Sequence, residues 1–107
     1  MTLDTHLRHE IATRIRAAVP EVIDILLFGS QARGDARDDS DIDLVLILPA
    51  PLDRRGVGLR AMRALWGIDI GIDLLMLTPE DWERMPETSG CYGKQIRQDA
   101  VRLDAAA

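Results

Sequence analysis

Two aspartates, Asp41 and Asp43, sit on either side of Ile42 at the head of the run Asp41-Ile42-Asp43-Leu44-Val45-Leu46-Ile47-Leu48. Side chains alternate along a strand, so in extended backbone both carboxylates point one way while Ile42, Leu44, Leu46 and Leu48 point the other. Two like charges on one patch repel and raise each other's pKa, which is costly to fold unless a cation stands between them. Magnesium suits such a pair, because it takes oxygen ligands, needs only one or two carboxylates, and completes its shell with water and substrate phosphates. Upstream lies Gly29-Ser30, followed by Gln31, Ala32 and Arg33. Ser30 reads as the N-cap of a short helix whose free N–H groups point back over a strand end. Such a helix start attracts phosphate, since its aligned dipoles leave roughly half a positive charge there. Arg33 suits either of two roles, a phosphate contact or a partner for a nearby carboxylate, because its fork fits both.

A third carboxylate is needed to complete a metal patch, and the run Ile68-Asp69-Ile70-Gly71-Ile72-Asp73-Leu74-Leu75-Met76-Leu77 offers two. Read as one strand opened by Gly67, it places Asp69 and Asp73 on the same face. Asp73 falls in the apolar centre, where a lone carboxylate is expensive unless paired or metal-bound. Asp73 is therefore the candidate third ligand, with Asp69 as the fallback and an exposed edge position as its plainer meaning.

The elements that must position these residues follow from pattern. Leu3, Leu7, Ile11, Ile15 and Val19 recur every four residues between charged neighbours, which predicts an amphipathic helix over 3–19, ended by Pro20. Val22 to Phe28 is β-branched and aromatic and predicts a buried strand stopping at Gly29. The short helix is expected to continue from Ser30 through Arg37, with Gly34 marking either a close approach or the helix end. Asp38 and Asp39 read as solvated loop, and Ser40 as a residue that fixes the start of the second strand. Pro49-Ala50-Pro51 breaks that strand, and a helix is expected over 53–66, its first turn weakened by Gly56 and Gly58. Its arginines, Arg54, Arg55, Arg60 and Arg63, read as a solvated face. Thr78-Pro79-Glu80-Asp81 has the composition of a helix start, with Trp82 and Met85 turned inward. The stretch 86–93 is expected to be loose, followed by a helix over 94–98, an apolar segment over 100–103 and a frayed end at 105–107. His6 and His9 read as surface helix residues, since no further His or Cys stands nearby to complete a metal site.

Composition narrows the partners. The 107 residues suit one domain over 1–107, with no room for a second within them. The balance of 13 basic against 18 acidic residues gives a net charge of −5, which argues against a nucleic-acid backbone as partner. Aromatics at 4% are too few for stacking along single-stranded nucleic acid. The one cysteine, Cys91, excludes an internal disulfide and fits a reducing compartment. With neither a signal peptide nor a long apolar run, the expectation is a soluble cytoplasmic protein without a membrane partner.

Taken together, Gly29-Ser30 with Arg33-Gly34, then Ser40-Asp41-Ile42-Asp43-Leu44, resembles the signature of the DNA-polymerase-β-like nucleotidyltransferase superfamily. The stretch Ile72 to Glu80 is similar to that family's third-aspartate strand and following helix. The short length is most similar to the minimal nucleotidyltransferases, or MNT proteins, many of which are antitoxins paired with HEPN-domain toxins. The resemblance implies an α/β (α+β) fold, a mixed sheet flanked by helices. It implies ATP as donor and two Mg²⁺ ions held by Asp41, Asp43 and Asp73, with Gly29, Ser30 and Arg33 on the nucleotide phosphates. It further implies transfer of AMP onto a tyrosine of a cognate HEPN toxin. Two other functions compete: a binding module that occludes its partner with little or no chemistry, and nucleotidyl transfer to a small molecule such as an aminoglycoside. The three-aspartate set disfavours the first, and the lack of residues for an acceptor domain disfavours the second.

Overall fold

The fold is built on one mixed sheet with a different pair of helices on each face. The computed structural model describes residues 3–37, 40–88 and 90–104. The loop reading of Asp38 and Asp39 and the frayed end at 105–107 lie outside the described residues. In chain order the elements are α1 (Thr5–Ala18), β1 (Asp24–Phe28), α2 (Ser30–Arg33), β2 (Ile42–Ile47), α3 (Arg54–Ala64), β3 (Ile72–Leu77), α4 (Pro79–Thr88), α5 (Gly90–Asp99) and β4 (Val101–Arg102). The strands lie in the order β3-β2-β1-β4. β1 runs antiparallel to β2 and to β4, whereas β2 and β3 are parallel, joined by the crossover helix α3.

Alternation along β2 explains both faces. Ile42, Leu44 and Leu46 point to one side, where they join Ile11 and Ile15 of α1, Ile25 and Leu27 of β1, and Val57 and Ala61 of α3 in one buried cluster. Val45 and Ile47 point to the other, against Leu26 and Phe28 of β1, Met85 of α4 and Ile96 of α5. A strand packed on both faces is apolar at consecutive positions, which is why Leu44 to Leu48 reads as an unbroken apolar run. Each fully buried aliphatic side chain of this kind is worth about 1.5–3 kcal/mol.

Local chemistry sets the ends of the helices. Asp4 caps α1 by accepting from the Leu7 N–H at 2.8 Å, and Asp53 caps α3 through the Gly56 N–H at 3.1 Å. A Cβ at Gly56 would stand 2.2 Å from the Asp53 carboxylate, so this glycine makes room for the cap rather than weakening the turn. Thr78 accepts from the Asp81 N–H at the start of α4, as its sequence predicts.

Three expectations need correction and a fourth is sharpened. α2 ends at Arg33 and does not run on to Arg37, because Gly34 takes a left-handed φ of 83° and closes the turn. The third strand starts at Ile72, not Ile68, since its ladder begins where Ile42 opens β2 and offers residues 68–70 no partner, Gly71 lending only its carbonyl to the Ile42 N–H. The stretch 86–93 is helical on both sides of the undescribed position 89, with Pro86 inside α4 and α5 starting at Gly90. The apolar segment over 100–103 contains a short edge strand, β4, paired with Leu26 and Leu27.

Gly93 of α5 packs directly on the backbone of α4, with a Cβ placed there 2.3 Å from the Met85 carbonyl oxygen. Gly93→Ala is expected to destabilise the fold by about 1–3 kcal/mol through overpacking, measured as a lowered urea midpoint. The turn after α1 is tied to α3 by a paired fork from Arg60 to Glu21, which holds the Glu21 carboxyl down at about 2 against an ordinary 4.5. A depressed carboxylate stabilises fully above its unfolded pKa, and that contribution fades as pH falls from 4.5 toward 2. The Tm gap between the wild type and Glu21→Gln is therefore expected to be widest at neutral pH and to shrink on acidification below 4.5.

Candidate active site

The last residue of β1 and the first residues of β2 and β3 meet at one end of the sheet. Antiparallel pairing sets Phe28 opposite Asp43, and parallel pairing sets Asp43 opposite Asp73. Asp43 and Asp73 stand two residues before Val45 and Leu75 and so share their side of the sheet, which puts both carboxylates on the α4/α5 face. Asp41, one residue before β2, lies outside the strand and is exposed, while Asp43 is half-buried.

The carboxylates crowd one another. Burial pushes the Asp43 carboxyl up, the charges of Asp73 and Asp41 push it further, a hydrogen bond shared with Asp73 adds to this, and the Arg33 charge pulls it back. Two glycines make the crowding possible. Gly29 has φ 75°, and a Cβ on it would stand 2.6 Å from an Asp43 carboxylate oxygen. At Gly71 a Cβ would stand 2.2 Å from an Asp41 carboxylate oxygen, while the Gly71 carbonyl accepts from the Ile42 N–H at 2.8 Å. The aspartates thus need bare backbone beside them.

Asp73 is exposed at the second position of β3, not buried in an apolar centre. Its place among the carboxylates follows from its register with Asp43 rather than from the cost of burial. Asp69 lies in the segment before β3 and is also exposed, so strand alternation does not put it on one face with Asp73.

The turn after β1 differs from the expected cap. Gly29, not Ser30, occupies the cap position, with no side-chain cap bond, and Ser30 is the first helical residue. Gly29 offers its carbonyl to the N–H groups of Ala32 and Arg33, both at 3.1 Å, while the N–H groups of Ser30 and Gln31 have no partner within the helix. With four residues α2 sums few peptide dipoles, so its appeal to an anion rests on those two N–H groups and the hydroxyl. Arg33 takes the carboxylate role of its two readings: it donates to Asp99 at 2.7 Å and Asp35 at 3.2 Å. Asp99, at the end of α5, also accepts from Gln95 at 2.9 Å, and these donors hold its carboxyl below the usual range. The Arg33 charge still reaches Asp43.

Sequence reasoning missed Gly71 and Asp99. A lone glycine inside a strand pattern signals a close approach and could have singled out Gly71. Nothing local marks Asp99, which reaches Arg33 only through the packing of α5.

Among the described residues no three His, Cys, Asp or Glu side chains close into a preformed cage. The donor set nevertheless fits magnesium: carboxylate oxygens crowded at a strand end beside unspent N–H groups, leaving coordination positions for water and phosphate oxygens. His6 and His9 are exposed on α1 and lie apart from this patch. Among the described residues no helix is long and apolar enough to cross a membrane.

Residues 8–104 match the nucleotidyltransferase domain family. The chain belongs to that family. No curated protein sequence matches it. Among solved structures, a Sulfolobus solfataricus protein assigned as a nucleotidyltransferase is 26% identical, with a TM-score of 0.59 over 75% of this chain and 71% of that one. A toxin–antitoxin assembly with AMP-PNP is 23% identical, with a TM-score of 0.65 over 90% of this chain and 71% of that one. A tri-AMPylated Shewanella oneidensis HEPN toxin in complex with an MNT antitoxin matches at 21% identity and a TM-score of 0.61, over 94% and 71%. The mixed four-stranded sheet of this nucleotidyltransferase domain is the α+β arrangement those structures share.

Because Asp43 is crowded by like charge, Asp43→Asn is expected to leave the fold as stable or raise its Tm in EDTA. A Tm lowered by more than a few degrees would make the carboxylate a structural anchor instead, and thermal unfolding distinguishes the two.

Proposed function

We propose that this chain is a magnesium-dependent nucleotidyltransferase that moves AMP from ATP to a tyrosine hydroxyl of a HEPN-domain toxin and thereby acts as its antitoxin. The observation that carries the reading is the ladder register that sets Asp43 opposite Asp73, with Asp41 and the Gly29 turn beside them. The fold-level likeness to a toxin–antitoxin with AMP-PNP and to an AMPylated HEPN toxin bound by an MNT antitoxin supports the choice of donor and acceptor.

Each residue has a physical task. Asp41, Asp43 and Asp73 would hold two magnesium ions, which when bound neutralise triphosphate charge and lower the pKa of an acceptor hydroxyl. The N–H groups of Ser30 and Gln31 and the Ser30 hydroxyl grip the β- and γ-phosphates, and Gly29 lets the backbone come close. Arg33, fixed by Asp99 and Asp35, adds positive charge beside the leaving group. The acceptor oxygen forms a bond to the α-phosphorus as the bond from that phosphorus to the bridging oxygen breaks, releasing pyrophosphate. Asp73, exposed at the strand start, takes the proton from the hydroxyl. Positioning and charge neutralisation supply most of the acceleration.

The test uses ATP labelled at the α-phosphate, Mg²⁺ and the all-helical product of an adjacent gene. The wild type is expected to label that protein, and EDTA to abolish labelling. Asp43→Asn and Asp73→Asn are expected to lose more than the roughly 10–100-fold typical of an outer-shell ligand partner, and Asp69→Asn to stay within a few-fold of wild type. Equal labelling by Asp43→Asn would overturn the site assignment, and equal loss in Asp69→Asn would move the third carboxylate.

A further inference from the structure

Helix α3 is apolar on two sides. Val57 and Ala61 are buried against α1 and the sheet, as a crossover helix requires. On the far side Leu59 and Met62, three residues apart, are 51% and 48% exposed, and Trp66, just past the helix end, is 86% exposed. At 3.6 residues per turn Arg55, Leu59 and Met62 fall on one stripe, with Arg63 at its flank and Trp66 following just past the helix end. The stripe continues into a groove of about 380 Å³ lined by Met62, Trp66, Ile68, Ile70 and Ile72, beside the edge strand β3. This segment is held in place. Arg14 donates to the carbonyl oxygens of Ala64 at 3.3 Å and Trp66 at 3.0 Å, which fixes the backbone that presents the indole. A contiguous apolar surface of this kind marks an interaction site rather than scattered surface residues.

Charge selects the occupant. Two arginines of α3 are spent inside the fold, Arg54 on Asp81 and Arg60 on Glu21. The two beside the stripe, Arg55 and Arg63, are exposed and form no ion pair among the described residues. A second copy of this chain fits poorly. Two α3 stripes packed about a two-fold axis bring Arg55 of one copy toward Arg63 of the other, like charge against like. Docking the acidic helix α4 of another copy there instead gives a head-to-tail contact with no reason to close.

We propose that the outer stripe of α3 and the groove beside β3 form a docking surface for a different protein, which presents an amphipathic helix with an apolar face and acidic flanks. Leu59, Met62 and Trp66 cover its apolar face, and Arg55 and Arg63 meet its carboxylates. The surface lies on the α1/α3 side of the sheet, while Asp43 and Asp73 lie on the α4/α5 side, so a docked helix leaves the candidate active site open. The inference stands apart from the nucleotidyl-transfer reading, because docking is read without nucleotide.

The probe is a fluorescein-labelled synthetic helix of about five turns with a leucine face and glutamate flanks, and its twin carries lysine in place of glutamate. Fluorescence anisotropy with the full chain is expected to show the glutamate peptide binding at least about tenfold tighter than the twin, with the gap closing at high salt. Trp66→Ala and Met62→Ala are each expected to weaken it about tenfold or more while leaving the Tm within a few degrees of wild type, since neither side chain is buried. Mg²⁺ with AMP-PNP is expected not to compete. Equal binding of the twins, no binding of either, or full binding by both variants would overturn the proposal. So would a wild-type dimer in sedimentation equilibrium that Trp66→Ala dissolves, which would assign the surface to a second copy.

Discussion

Asp43 and Asp73 stand opposite one another in a parallel ladder, and the rest of the structure can be understood as what brings two repelling carboxylates together and keeps them there. Their repulsion is a local cost, borne by the apolar strands behind them. Val45 and Ile47 continue β2 behind Asp43, and Leu75 and Leu77 continue β3 behind Asp73, all packed under α4 and α5. Those contacts fix the register, and a slip of one residue would turn both carboxylates to the opposite face and the apolar side chains out of their clusters. The cost at the strand ends is therefore held by the gain along the strands.

Backbone geometry serves the same end. Gly29 and Gly71 sit where a methyl group would collide with the carboxylates of Asp43 and Asp41, so side chains are absent where charge must be dense. Arg33 brings the compensating positive charge, and it is itself held by Asp99 from α5. A helix remote in sequence thus helps set the field at the strand ends, and the packing of Gly93 against Met85 helps place that helix.

The two faces of the sheet divide their tasks. The α1/α3 side contains the larger apolar cluster and carries the exposed stripe of α3, whereas the α4/α5 side carries the carboxylates. This separation follows from alternation in β2, because residues facing opposite ways in one strand can be given to packing and to chemistry without conflict.

Much of this was legible in order along the chain. The period of α1, the composition of β1 and β2 and the cap at Thr78 are local patterns, and local patterns depend only on backbone period and on nearby side chains, whereas Asp41 falls just outside β2 and so is not placed by alternation with Asp43. The errors arose where a partner distant in sequence decides the outcome. Residues 68–70 have the composition of a strand but face no ladder partner, and 86–88 and 90–93 are helical where α4 and α5 pack against each other. Asp73 reads in the sequence as a buried carboxylate, but it is exposed and is placed by a register that no single strand contains. By itself, then, the sequence determined which carboxylates and glycines stand at which spacing and which local elements carry them, since type and spacing are properties of the chain. Only the tertiary structure decided that Asp43 faces Asp73, that Gly71 makes way for Asp41 and that Asp99 takes Arg33, because each of those contacts joins segments brought together by burial of apolar surface.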